Sequence, residues 1–250
     1  MMKKALLSLL FLATVCIVNA QTDSSRPKKR DYSKIDLSNR ANDHFMIQFG
    51  WDGWSQATDS INPSGFSRHF NFYFMLDKPF KTNPHLSIAY GLGIGSSNIF
   101  FKDTYVDLKS NSATLPFRGA LPGTDSSNFK KFKLTTVFLE IPLEFRFVTN
   151  PVTPDKGWKL AVGLKAGLLL DAHTKGKNLV TKTGSSVYGS GYIMKEKDKK
   201  FINSTRVAAT ARVGIGNFSI DGSYQLTNFL KDGAGPTINP YSIGLTLSGL

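Results

Sequence analysis

The sequence predicts an all-β protein: an eight-stranded antiparallel up-and-down transmembrane β-barrel with short periplasmic turns and long extracellular loops. Three observations carry this reading. Apolar residues recur at every second position in eight separate segments, the period of a β-strand. The connections between them alternate short and long, as in a barrel of the bacterial outer membrane. The N-terminus has the form of an export signal.

In that signal, Lys3 and Lys4 are the basic end, residues 5–18 the apolar run, and Val18, Asn19 and Ala20 a cleavage site that makes Gln21 the expected mature N-terminus. The single cysteine, Cys16, lies inside the run. An acylated Cys16 is the alternative, although Val15 before it is bulkier than the usual small residue. A mature chain without cysteine has no disulfide, zinc-thiolate site or thiol nucleophile. Loss of Lys3 and Lys4 takes the formal charge from +13 to +11, because residues 1–20 hold no acid. No later stretch approaches the ~20 apolar residues of a membrane helix. Residues 21–42 carry six basic and three acidic side chains and almost nothing apolar, which reads as a flexible basic tail on the periplasmic side. The expected division is therefore signal peptide 1–20, tail 21–42 and barrel 43–250.

The strands follow in order. In 45–51, Phe45, Ile47, Phe49 and Trp51 share one face. In 69–77, Phe70, Phe72, Phe74 and Leu76 oppose His69, Asn71, Tyr73, Met75 and Asp77. In 86–95, Leu86, Ile88, Tyr90, Leu92 and Ile94 alternate with small residues, Gly91, Gly93 and Gly95 among them. In 137–147, Val137, Leu139, Ile141, Leu143, Phe145 and Phe147 oppose Phe138, Glu140, Pro142, Glu144 and Arg146. The same alternation runs through 158–170, 206–215, 218–226 and 241–248. The connections are roughly 55–66, 78–85, 98–130, 149–157, 172–202, 216–217 and 228–239. The second, fourth and sixth are short and hold turn residues. An even strand count puts both termini on the short-turn side.

Alternation alone leaves a soluble lipocalin-like barrel or a β-sandwich open. Three features favour lipid outside. Aromatics gather near strand ends, Phe45, Phe147, Trp158 and Phe218 at the turn end and Trp51, Phe70, Tyr224 and Tyr241 at the loop end, as interfacial girdles do. The opposite faces mix glycine with full charges. The exported chain has no cysteine to staple a small core.

The run Phe138-Leu139-Glu140-Ile141-Pro142-Leu143-Glu144-Phe145-Arg146-Phe147, preceded by Lys133-Leu134-Thr135-Thr136, resembles a strand of the PorT-like outer-membrane β-barrel family of Bacteroidota. The resemblance implies an outer-membrane barrel over about 43–250, in a family where some members assist type IX secretion; it brings no catalytic residue. The final Ser248-Gly249-Leu250 departs from the terminal aromatic common in such barrels.

Facing inward, Glu140, Glu144, Arg146, Lys159, Lys165, Arg206 and Arg212 form a candidate lumen charge cluster, with Asp77 and Asp221 near the turn end. An antiparallel register through 149–157 sets Glu140 opposite Lys165 and Arg146 near Lys159. A structural plug of paired charges is favoured over a solute path, because eight strands enclose little more than side chains. Pro142, in mid-strand, marks a bulge or a lost ladder bond. The histidines His44, His69, His85 and His173 lack metal-ligand spacing. Asp171 and His173 share a face without an identified nucleophile, so neither an enzyme nor a cofactor is expected. In the outer loop 172–202, Lys175, Lys177, Lys182, Lys195, Lys197, Lys199 and Lys200 are placed to meet lipopolysaccharide phosphates or an envelope protein partner; the alternative is a solvated loop. Nucleic acid is not expected, since no aromatic platform interleaves the charge. The function expected is a structural or surface-interaction barrel in contact with outer-membrane lipid. A small porin-like or secretion-associated barrel is the alternative.

Overall fold

The computed structural model describes residues 44–56, 61, 63, 66–124 and 127–249. The expected signal peptide and tail lie outside the described residues. Among the described residues eleven strands occur in chain order: β1 (Phe45–Ser55), β2 (Arg68–Pro79), β3 (Leu86–Phe101), β4 (Tyr105–Val106), β5 (Phe117–Arg118), β6 (Asn128–Val148), β7 (Trp158–Val180), β8 (Ile193–Lys197), β9 (Thr205–Ile215), β10 (Phe218–Gln225) and β11 (Asn239–Ser248).

Eight of them close a ring by antiparallel neighbour pairing. The order β6-β3-β2-β1-β11-β10-β9-β7 is completed by direct pairing of β6 with β7. Closure leaves no unpaired edge in the ring, which a strand in lipid requires. The alternating faces sort as a barrel in lipid demands. Phe49, Phe70, Leu92, Ile141, Leu164, Ile220 and Leu245 all stand exposed, while Met46, Asn71, Tyr73, Glu140 and Lys165 are buried. The eight girdle aromatics are all exposed on the outer face. At the tightest connection Gly216 has φ +62°, a left-handed conformation that costs glycine little. A three-residue 3-10 turn, Pro154–Lys156, sits in the 149–157 connection.

Two strands are far longer than the period-two segments suggest. β6 has 21 residues and β7 has 23, against the ~9–11 that cross a bilayer. Of the segments expected as loops, 98–130 thus begins and ends as strand, and 172–202 begins as strand and holds β8. β8 pairs with the upper part of β7 and extends that wall further. The reason is a reversal of pattern. Above the belt the inner face turns apolar, at Trp54 on β1, Ile99 and Phe101 on β3, and Phe132 and Leu134 on β6.

Those residues form the floor of a second core. Val106, Leu108 and Leu115 from the third connection, Phe201 and Ile202 from the fifth, and Leu230 and Ile238 from the last pack with them, all buried. Trp54 is its hub, with ring centroids 5.5 Å from Phe101 and 5.1 Å from Phe229. Leu115 N donates to Ala234 O at 2.8 Å, and Ile202 bridges Leu230. The long outer connections are therefore a folded cap over the barrel mouth.

Candidate functional site: a filled lumen and a basic outer wall

The lumen charges fall into two groups. In the upper one Glu140, on β6, is fully buried and is gripped by Arg206, whose Nε and Nη2 lie 2.8 and 2.6 Å from Oε1. Tyr73 OH donates to Oε2 at 2.6 Å. Lys165 Nζ lies 3.8 Å away. Arg206 also stacks its guanidinium 4.0 Å from the Phe138 ring centroid, so Phe138 is the boundary between lumen and cap. In the lower group Glu144 Oε2 accepts Arg146 Nε at 2.7 Å and Arg212 Nη2 at 2.9 Å. Arg146 Nη1 is 3.9 Å from Asp77 Oδ1, and Arg212 Nη1 donates to Ser248 Oγ at 3.2 Å. A row of neutral side chains lies alongside and ends on a carboxylate: Asn71 donates to Gln48, Gln48 to Thr246, and Thr246 to Asp221.

The β6–β7 register differs from the expected one by two residues. Glu140 stands opposite Gly167 and Lys165 opposite Pro142, so Lys165 reaches Glu140 diagonally. Arg146 faces Ala161, and Lys159 is buried opposite Val148. The turn sets this frame: Thr149 N donates to Trp158 O at 3.0 Å, and Thr149 Oγ1 accepts Trp158 N at 2.9 Å. Pro142 makes no bulge. The β3–β6 ladder skips from Tyr90–Leu143 to Gly93–Glu140 and resumes in the same register, the lost-bond alternative for a residue without an N–H. The irregularity in β6–β7 lies instead at Val137/Phe138, where Leu170 is the unpaired residue on β7.

Side chains fill most of the space between these groups. One cavity of about 40 Å³ borders Asp52, His69, Lys165 and Arg206, and one of about 20 Å³ borders Gln48, Tyr73, Glu144 and Lys165. At ~10–15 Å³ per water, the larger holds about three. The alternate glycines of β3 make the filling possible: a Cβ on Gly93 would overlap Tyr73, and one on Gly95 would overlap Glu140 and stand 2.9 Å from Arg206 Nη2.

Several participants were not singled out from sequence. Parity puts Tyr73 inside but names no partner for it. Asp52, on β1, accepts His69 Nδ1 at 2.8 Å and Ser97 Oγ; these residues are too far apart in the chain for spacing to link them. Asp171 and His173 do pair, at 2.7 Å, but the second Asp171 oxygen is 2.7 Å from Lys197 Nζ. The pair is part of an ion-pair network on the outer wall.

The seven lysines of 172–202 separate by role, and most lie on or beside strands. Lys175 and Lys177 project outward from β7, and Lys195 from β8. Lys197 pairs with Asp171. Lys199 Nζ donates to Leu170 O at 3.4 Å and Lys200 Nζ to Ser110 O, stitching this segment to the wall and to the third connection. Lys182 lies in the hairpin tip. Glu196 faces inward and accepts Tyr105 OH at 2.7 Å. Burial, and then this bond, raise the Tyr105 pKa well above the usual phenol range.

No curated protein matches the chain. Among solved structures it is similar to Ail, the attachment invasion locus protein of Yersinia pestis, in complex with the heparin analogue sucrose octasulfate: 14% identity over 83% of this chain and 97% of that chain, TM-score 0.35. It is also similar to the N-terminal β-barrel domain of Pseudomonas aeruginosa OprF, with 12% identity over 83% and 98% and a TM-score of 0.27. The family match is to the outer membrane protein β-barrel domain as a whole, over residues 20–231, and does not name the PorT-like branch. That match covers most of the chain and fits the closed ring of eight strands described above; the chain belongs to the outer membrane protein β-barrel domain family and resides in the bacterial outer membrane.

Proposed function

We propose that the chain is a sealed, non-catalytic barrel whose lumen charges hold the ring together and whose cap presents a fixed surface outside the cell. The observation that carries this is the double closure. Paired charges occupy the middle of the barrel, and an apolar core lies across its outer mouth. A cap with its own core holds its surface at lower entropic cost than free loops would. Membership of the PorT-like branch belongs to the same proposal and rests on strand 138–147, which supplies both Glu140 and Glu144. Planar-bilayer recording of the refolded chain tests the seal: a silent bilayer is expected, and reproducible single-channel steps would overturn it.

A further inference from the structure

On the β6–β7–β8 wall the strand register brings lysines together. Lys133, Lys175 and Lys195 stand directly opposite one another across three neighbouring strands, and Lys131 stands opposite Lys177 one step higher. Arg68, at the top of β2, extends the set: its guanidinium lies 5.7 Å from the Phe100 ring centroid, and Lys133 Nζ lies 5.8 Å from the same ring. Like charges directly opposite in a ladder destabilise it. The acids in the neighbourhood do not relieve them, since Asp171 is engaged by Lys197 and His173, and Glu196 faces the core. Burial, and then Lys175, Arg68 and Lys195, lower the Lys133 pKa, so these cations feel one another. The set departs from what folding alone favours and is complementary to polyanionic groups.

Its position selects the source of those groups. The outward face of β7 that carries Lys175 and Lys177 carries Leu164, Leu168 and Leu170 lower down, all exposed in the lipid belt. From residue 170 to residue 175 is roughly 16 Å along a strand at ~3.3 Å per residue, or about 12 Å in height at a tilt of ~40°. Lysine side chains can lean back toward headgroups from there. The patch faces sideways over the leaflet.

We propose that this wall seats the phosphate groups of an outer-leaflet phosphorylated glycolipid, with the acyl chains against the apolar belt below. The proposal rests on the reading of the chain as a surface-interaction barrel and names the partner for one of its faces.

The test uses the refolded chain in nanodiscs of neutral phospholipid, doped with bisphosphorylated lipid A or with the same lipid after phosphatase treatment. Native mass spectrometry reads the lipid retained. Retention of lipid A but not of its dephosphorylated form is expected. Lys133→Gln with Lys175→Gln and Lys195→Gln should lower it by roughly a hundredfold, at about fivefold per lysine beside an anionic surface, and added salt should act in the same direction. Lys109→Gln with Lys231→Gln, exposed cap lysines away from this wall, should leave it within twofold. The triple variant relieves repulsion, so its heat-modifiable gel shift should persist; a misfolded product would mean that these lysines support the wall and would overturn the proposal. Equal retention of the dephosphorylated lipid, full retention by the triple variant, or displacement by inorganic phosphate alone would each overturn it too. Conductance of the same preparation separates the two readings. A silent barrel that retains no lipid A removes the wall proposal only, and a conducting barrel removes the seal whichever lipid is kept.

Discussion

Below Phe138 and above it, one chain solves the burial problem in opposite ways. In the ring, bulky side chains such as Leu164 and Ile220 face outward, and charges such as Glu140 and Arg212 face inward. In the cap, Trp54, Phe132 and Leu230 face inward, and Lys131, Lys175 and Lys195 face outward. Lipid offers apolar side chains no reason to leave it, so the ring is held by backbone pairing and by matched charge. Water does expel them, so the cap is held by an ordinary core. Strands β3, β6 and β7 run through both regions without a break. The side on which a residue belongs is thus fixed by its height along the strand as well as by its parity.

The sharpest way to break this account is to unpair the lumen. Glu140→Leu would strand Arg206 and Lys165 in a buried site, and breaking a buried pair costs about 3–5 kcal/mol. Urea unfolding in lipid vesicles should show that loss. The partners are unequal, with Arg206 within 2.8 Å and Lys165 at 3.8 Å, so Arg206→Met should cost more than Lys165→Met. Glu140→Gln combined with Lys165→Met should recover part of the single loss. Equal costs for both cation variants would show that Glu140 is held by the cluster as a whole rather than by Arg206.

Next in size is a charge placed on the outer face. Leu164→Arg puts a cation near the middle of the belt, where it costs about 2–4 kcal/mol. Ser223, by contrast, bonds Ser242 at 2.6 Å on the inner face. Folded yield should therefore fall much further for Leu164→Arg than for Ser223→Arg, where crowding is the main penalty. Similar yields would mean that the lipid face has been misassigned.

Most of the ring was legible in the sequence for one reason: period-two alternation records a face, and eight runs with alternating connection lengths record a barrel. The faces of Leu164, Glu140, Tyr73 and Ser223 follow from parity alone. What was not legible depends on height. The phase of the apolar residues switches within β6 from Val137 and Leu139 to Phe132 and Leu134, so parity stops marking a strand there, and nothing in the sequence sets Lys131 and Lys133 on an outer wall. The register between β6 and β7 depended on the Thr149–Trp158 turn bonds, which composition does not reveal. Asp52, His69 and Ser97 meet only because the ring closes.

A smaller perturbation tests whether the cap is a core in its own right. Ile202 is fully buried there, and Ile→Val in a core costs about 0.5–1.5 kcal/mol. Ile202→Val should raise amide exchange in 199–202 and 228–238 while the ring strands keep their protection. Faster exchange in β1 or β10 at the same denaturant concentration would show that ring and cap unfold together, and the contrast drawn above would lose its energetic meaning.

The smallest expected effect concerns the join of the two regions on the outer wall. Asp171 lies just above Leu170, the last exposed leucine of β7, and fastens β8 to β7 through Lys197. Burial alone would raise its pKa, but the hydrogen bonds from Lys197 and His173 outweigh this and hold it below the usual carboxylate value. A carboxyl depressed in the folded state stabilises fully above its unfolded pKa of ~3.9, and the contribution fades as pH falls through the folded value. Acidification from about pH 4 downward should therefore loosen β8 before any ring strand. Amide exchange over Ile193–Lys197, corrected for the intrinsic pH dependence, gives the readout. Asp171→Asn should show faster exchange already at neutral pH and no added loosening in acid. Lys197→Met should remove most of the same pH dependence, because it takes away one of the bonds that lower the Asp171 pKa. If the wild type and Asp171→Asn trace the same curve, β8 is held by its ladder and by the Tyr105–Glu196 bond on its inner face, and the outer wall adds charge without adding stability.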